Sequence, residues 1–228
     1  MNQDWGVVMP HIGPRQNLIE NLQSLGEVTV PFLIVDNSPT SDTKSMELPK
    51  GIEVIYHPEN AGVAKSFNLG LKRGAKYTVV MSVSMRFGKG LSDFIQQSEE
   101  HVNEWGLNYH IGMHVYTFGK STVDRIGFFD ENLSPAYYED CDYWRRMIVA
   151  GINSKVPVYK PTDVWCIGDA ISLKEGFVKF DVASNQKYYI AKWGKLPPDD
   201  YYMFPFNNPE LPLSYWVPGG KSAIVNSF

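Results

Sequence analysis

The sequence predicts a doubly wound α/β fold, a mostly parallel sheet with helices on both faces, and three observations lead there. Uninterrupted apolar runs end abruptly at turn residues, as in Phe32-Leu33-Ile34-Val35 before Asp36-Asn37-Ser38-Pro39. Such runs suit strands that helices cover on both faces. Segments of helical spacing alternate with these runs over the first ninety or so residues, the order that winds a parallel sheet with right-handed crossovers. The length of 228 residues, with 43% apolar and 14% aromatic side chains, lets one large domain bury roughly 70–75% of its unfolded surface.

Arg15 to Leu25 sets Leu18, Ile19, Leu22 and Leu25 at helical spacing, and Gly26 stands where a helix stops. Ile52 to Tyr56 reads as a strand, Ala61 to Arg73 as a helix with Val63, Phe67 and Leu71 inward, and Tyr77 to Met81 as a strand ending at Ser82. Leu91, Phe94, Ile95, Ser98 and Val102 outline an amphipathic helix, and Tyr109 to Phe118 reads as one long strand. Ser121-x-x-Asp124 has the spacing of a capping signature for a short helix closed by Gly127. Tyr143, Trp144, Met147 and Ile148 form one face of a helix ending at Gly151. From Pro197 onward, six of the fifteen prolines alternate with aromatic residues, which predicts an extended tail packed through its rings. Residues 1–195 are therefore expected as one domain and 196–228 as the tail.

Lys plus Arg number 21 and Asp plus Glu 25, a net charge of −4. That balance lacks the basic excess which non-specific attraction to nucleic acid or anionic lipid needs. Cys141 and Cys166 make neither a metal ligand set nor a disulfide framework. No apolar stretch approaches the ~20 residues of a membrane span, and Met1 to Pro10 includes Asp4 and no basic head. A cytoplasmic protein is the expectation.

In an open parallel sheet, ligands bind outside the carboxyl ends of the strands. Asp36 and the run Ser82 to Arg86 fall on that edge. Asp36 reads either as a carboxylate that accepts hydrogen bonds from a nucleotide or as turn chemistry within Asp-Asn-Ser-Pro. Asn60 caps a helix entry and Gly62 permits close approach; Lys65 and Asn68 lie near that amino end, which favours anions, or on a solvated face. Glu139, Asp140 and Asp142 place three acids within four positions beside Tyr137 and Tyr138. Partial desolvation there suits general-base work. An acidic first helical turn, with Asp142 paired to Arg145 or Arg146, explains the same pattern.

These residues together carry a resemblance. Phe32 to Ser38, then Asn60-Ala61-Gly62-Val63-Ala64 with Asn68-x-Gly70, then Val123 to Asp130, then Tyr138-Glu139-Asp140-x-Asp142 with Arg145 resemble family 2 glycosyltransferases of the GT-A fold, nearest the rhamnosyltransferase-like branch. The segments cover most of residues 5 to 170. The resemblance implies inverting transfer of a sugar from a UDP-, dTDP- or GDP-linked donor to the hydroxyl of a glycan or other acceptor. It implies a nucleotide-binding half at about 1–90 and an acceptor half at 91–195. Pro10, His11, Asp36, Asn60, Lys65, Ser82, Ser84 and Arg86 would line the donor side. Asp140 would be the general base, with Glu139 or Asp142 orienting an acceptor beside Tyr137, Tyr138, Trp144 and Arg145. The tail would cover the acceptor cleft or a second subunit of a homo-oligomer.

The chain departs from that pattern where metal chemistry belongs. After Tyr77 to Met81 the family carries Asp-x-Asp, and this chain has Ser82-Val83-Ser84. Two hydroxyls are poor ligands for a hard dication on a diphosphate. Farther on, Cys166 stands where the branch often has His. A metal-independent enzyme without Mg²⁺ or Mn²⁺ is the expectation, with Arg86, Lys89 or Lys65 stabilising the leaving group; Asp169 is a weaker candidate for a replacement ligand. The other reading is a catalytically silent nucleotide-sugar or glycan-binding protein.

Overall fold

The computed structural model describes residues 2–168, 176, 182–218 and 220–222. The chain opens with β1 (Trp5–His11), α1 (Arg15–Leu25), β2 (Phe32–Asp36), β3 (Ile52–Tyr56), α2 (Val63–Leu71) and β4 (Tyr77–Met81); from α1 onward this is the order that the apolar spacing predicts, and β1 is an addition to it. It continues through β5 (Met85–Phe87), α3 (Leu91–Glu99), β6 (Gly106–Asn108), β7 (Val115–Gly119), α4 (Lys120–Ile126), α5 (Glu139–Val149), β8 (Val164–Cys166) and α6 (Val182–Trp193). Six strands form one sheet in the order β3-β2-β1-β4-β7-β6. The first four are mutually parallel and β7 and β6 join antiparallel.

The central strands alternate their side chains between two cores, as the period of two requires. Val7 and Met9 of β1 pack with Leu18 and Leu22 of α1 and with Phe94 and Ile95 of α3. Val8, between them, packs with Phe67 and Leu71 of α2 and Tyr143 and Met147 of α5. Each such side chain, fully buried, contributes about 1.5–3 kcal/mol. Gly70 lets α2 press onto the sheet, because a Cβ there would stand 2.3 Å from that of Val8.

Three local expectations need correction. Residues 109 to 118 do not form one strand: His110 (φ 59°) and Gly112 (φ 62°) turn the chain between β6 and β7, and an extended run cannot pass through positive φ. Ser121 does not cap α4; the helix begins at Lys120 after Gly119 with no side-chain cap, and Lys120 pairs instead with Asp124 at 2.6 Å. Asn60 does not cap α2 either. Its φ is 57° and its Oδ1 accepts from the Gly62 amide at 3.0 Å, while Gly62 occupies the cap position. The two-stranded sheet of β5 and β8 and the helix α6 are additions that periodicity did not give.

No helix among the described residues is long and apolar enough to cross a membrane.

Candidate active site

The carboxyl ends of β2, β1 and β4 lie side by side, with His11 in register with Asp36. Most of the polar side chains at this edge hold the protein's own loops. Asp36 is fully buried; its two carboxylate oxygens accept from the amide and hydroxyl of Ser38 (3.0 and 2.5 Å) and of Thr43 (2.9 and 2.7 Å). Burial alone would raise its pKa, but these four donors outweigh it and hold the carboxyl below its ordinary value. His11 is likewise buried and sets Nε2 3.0 Å from Asp42, while Nδ1 has no hydrogen-bond partner among the described residues. Asn37 receives the Ala61 amide on Oδ1 (2.8 Å) and donates to Ser66 (3.1 Å), so the loop after β2 carries the entry to α2. Pro10 and Asn60 are partly exposed, and Lys65 is exposed with no ion-pair partner among the described residues.

The loop after β4 has similar internal ties. Ser82 donates its amide to the His114 carbonyl (2.7 Å) and accepts the Ser84 amide on Oγ (3.1 Å). Arg86 is buried, donating to the carbonyls of Val83 and Met85 (both 2.9 Å) and to Glu20 of α1 (2.9 Å). Its guanidinium thus serves as an internal tie between β5 and α1. Lys89 pairs with Asp163 at 3.0 Å. The hydroxyls at the end of β4 do not fit a hard dication, and among the described residues no group of three or more His, Cys, Asp or Glu side chains is arranged to hold a metal ion. Asp169 lies outside the described residues.

The acid run occupies the amino end of α5, and its members differ in environment. Asp142 is fully buried against Arg146 (2.8 Å), Lys192 (2.7 Å) and the indole of Trp193 (2.9 Å). Burial opposes its charge, and the two cations outweigh that, holding the carboxyl below its ordinary value. Of the two expected pairings, Arg146 is the partner. Glu139 is buried, and its Oε2 has no hydrogen-bond partner among the described residues; desolvation first, then the neighbouring Asp140, push its carboxyl up to about 8. Asp140 is only partly buried and accepts the Cys141 amide at 2.7 Å. Cys141, the small residue in the run, has its thiol pushed well up by burial and by Asp140, so it is no nucleophile at neutral pH.

Tyr137 and Tyr138 precede α5 at φ 73° and 70°. Consecutive non-glycine residues in this region store strain, of order 1–3 kcal/mol each, which surrounding structure must hold. Asn185 of α6 does so, donating to the carbonyls of Ala136 (2.8 Å) and Tyr137 (3.1 Å). The segment before them is anchored from α2. Asn68 accepts the Phe129 amide (2.8 Å) and donates to the Phe129 carbonyl and Glu131 (both 2.9 Å); Val63 donates its amide to the Pro135 carbonyl (2.8 Å).

Asp140 opens onto a pocket of about 560 Å³. Because β7 is antiparallel, its start at Val115 lies beside Met81, which brings the 109–114 turn to the same sheet edge. Met113 from that turn, Tyr116 of β7 and Trp144 and Ile148 of α5 supply apolar walls, and Pro197 and Pro198 close one side. Asp200 fixes that side: the Tyr189 hydroxyl donates to it and Arg145 stands 3.5 Å away, while Arg145 also donates to the Tyr202 carbonyl (2.8 Å). Of the acceptor-side candidates, Asp140, Trp144 and Arg145 line this pocket; Tyr138 instead packs its ring on Tyr189. Tyr116, Tyr189 and Asp200 are contributors that the sequence reading missed, since none lies beside the acid run in sequence.

No family model matches the chain, and no curated protein matches its sequence. Among solved structures, the fold is similar to that of S. aureus TarS 1–349 in complex with UDP, with a TM-score of 0.54 at 11% identity over 80% of this chain and 68% of that one. The same TarS piece with UDP-GlcNAc gives a TM-score of 0.51 at 11% identity, over 80% and 69%. Longer TarS gives 0.53 at 12% identity, where this chain spans 42% of its length. The fold is therefore GT-A-like: a mostly parallel six-stranded sheet flanked by helices, similar overall to the TarS structures.

Proposed function

We propose that the protein transfers a sugar from a nucleoside-diphosphate donor to an acceptor hydroxyl, with inversion and without a metal, and that Asp140 is the general base. The observation that carries this reading is the position of Asp140 in the wall of the 560 Å³ pocket at the amino end of α5, on a sheet whose solved neighbours include TarS with UDP and with UDP-GlcNAc. Asp140 takes the acceptor proton as the oxygen attacks the anomeric carbon; the nucleoside diphosphate departs from the opposite face with the bonding pair. Holding acceptor, base and donor in line supplies most of the rate gain. Strain at Tyr137 and Tyr138, held by Asn185, favours a site whose geometry is fixed in advance.

A second reading, a catalytically silent nucleotide-sugar or glycan-binding protein, is favoured by one observation: Arg86, the guanidinium nearest the missing carboxylates in sequence, is tied to Glu20. A panel of UDP-, dTDP- and GDP-sugars in excess EDTA separates the two. Donor hydrolysis or transfer that survives chelation and disappears in Asp140→Asn supports the enzyme. Saturable nucleotide binding without turnover of any donor supports the silent protein.

A further inference from the structure

The pocket beside Asp140 carries more information than its position. Its volume of about 560 Å³ falls within the range of pockets that hold one small molecule, and its described lining is mainly apolar, from Met113, Trp144, Ile148, Pro197 and Pro198. A free sugar offers only the C–H faces of its ring to such a surface, whereas an aromatic or alkyl group covers more of it.

Its charges are unfavourable to an anion. Asp140 and Asp200 face Arg145, the one lysine or arginine among the described lining residues, with His110 as the other basic side chain, and Arg145 is already committed to Asp200 and the Tyr202 carbonyl. A phosphate or carboxylate would meet two carboxylates and no unpaired positive charge.

Two polar atoms nevertheless lack partners. The hydroxyl of Tyr116 and Nε of Arg145 are buried, and neither hydrogen-bonds within the described residues. Both residues line the pocket. A buried unpaired group costs about 1–3 kcal/mol; both atoms are shielded as the side chains stand, and a hydroxyl-bearing ligand that shifts those side chains would pair with them.

Resting on the proposed glycosyl transfer, we infer that the acceptor is a neutral glycoside with an aromatic or alkyl aglycone. Its sugar hydroxyls meet Asp140, Tyr116 and Arg145, and its aglycone lies against Trp144, Ile148 and the 197–198 wall.

Calorimetric titration of the full chain with phenyl and octyl glucosides, free glucose and glucose 6-phosphate tests this, beside a separate titration with UDP, dTDP and GDP. The expected result is that the two glucosides bind at least about tenfold more tightly than glucose, a ratio that corresponds to about 1.4 kcal/mol. Ile148→Ser, a change at a residue 45% exposed, and Tyr116→Phe should each weaken glucoside binding severalfold. Tyr116→Phe should do so without lowering the melting temperature, since it removes only an unpaired hydroxyl. Equal binding of glucose and the glucosides, tightest binding of the sugar phosphate, or no glucoside binding would overturn the inference. If a nucleotide binds in that last case, the transfer reading stands without it. Glucoside binding with no nucleotide binding would sink the transfer reading and leave the pocket's ligand class in place.

Discussion

Lys192 of α6 sets its ammonium 2.7 Å from Asp142 of α5 and 2.8 Å from Asp130, in a corner where all three residues are at most 1% exposed. Removing one partner of a buried ion pair leaves an uncompensated charge, which costs about 3–5 kcal/mol. Lys192→Met and Asp142→Asn should each lower the unfolding free energy in urea by that order. A role for Asp142 in orienting the acceptor would instead raise KM in Asp142→Asn and leave the urea midpoint unchanged.

Glu139 gives a pH signature. Its carboxyl is raised to about 8 in the folded chain against an ordinary value of 4.5. The stability that depends on its neutral form is thus complete below about pH 4.5 and is lost as pH rises through 8. At about 1.4 kcal/mol per pKa unit, the loss is at most on the order of 5 kcal/mol. Glu139→Gln cannot ionise, so unfolding free energies measured from pH 5 to 9 should decline more steeply in the parent than in the variant. Parallel curves would mean that Glu139 is already ionised at neutral pH.

The two cations at the donor edge should behave differently. Lys65 is exposed and unpaired among the described residues; Lys65→Ala should weaken nucleoside-diphosphate binding about three- to tenfold at low salt, less at high salt, with little change in melting temperature. Arg86→Ala removes donors from the buried carbonyls of Val83 and Met85 and should cost about 1–3 kcal/mol of stability. Calorimetry with UDP and thermal melts of the same two variants check both statements.

Asn68 joins α2 to the segment that leads into the acid run, through three hydrogen bonds to Phe129 and Glu131. Asn68→Ala leaves the Phe129 amide and carbonyl unpaired in the core and should destabilise the fold by about 2–4 kcal/mol. If Asn68 served only a ligand, the denaturation midpoint would not move.

The strand at Phe32 to Val35 and its two-faced burial were legible because the run is apolar throughout: Phe32 and Ile34 enter one core, Leu33 and Val35 the other. The helix α6 was not legible because what it buries is largely polar or amphipathic. Asn185, Tyr188, Tyr189, Lys192 and Trp193 face inward, and a lysine on the inner face hides the stripe that periodicity seeks. Asp140 was singled out from the acid run, but what sets Asp142 apart from it comes partly from Lys192 and Trp193 of α6, about fifty residues away. Arg86 shows the same limit: proximity to a strand end suggested a ligand, and its partner Glu20 lies 66 positions earlier. Asp36 was placed at the edge by its strand, whereas the Ser38 and Thr43 contacts that occupy it depend on how the loop folds back.

The stretch from Pro197 to Asp200 closes the pocket without contributing a strand to the sheet. What the pocket admits is thus written partly in a piece of chain whose sequence can drift while the strands that organise the opposite edge stay the same. Grafting variant loops between Trp193 and Tyr202 is accordingly a compact library for changing what this pocket binds, with Tyr189 and Arg145 kept as the fixed posts to which each new loop must fasten.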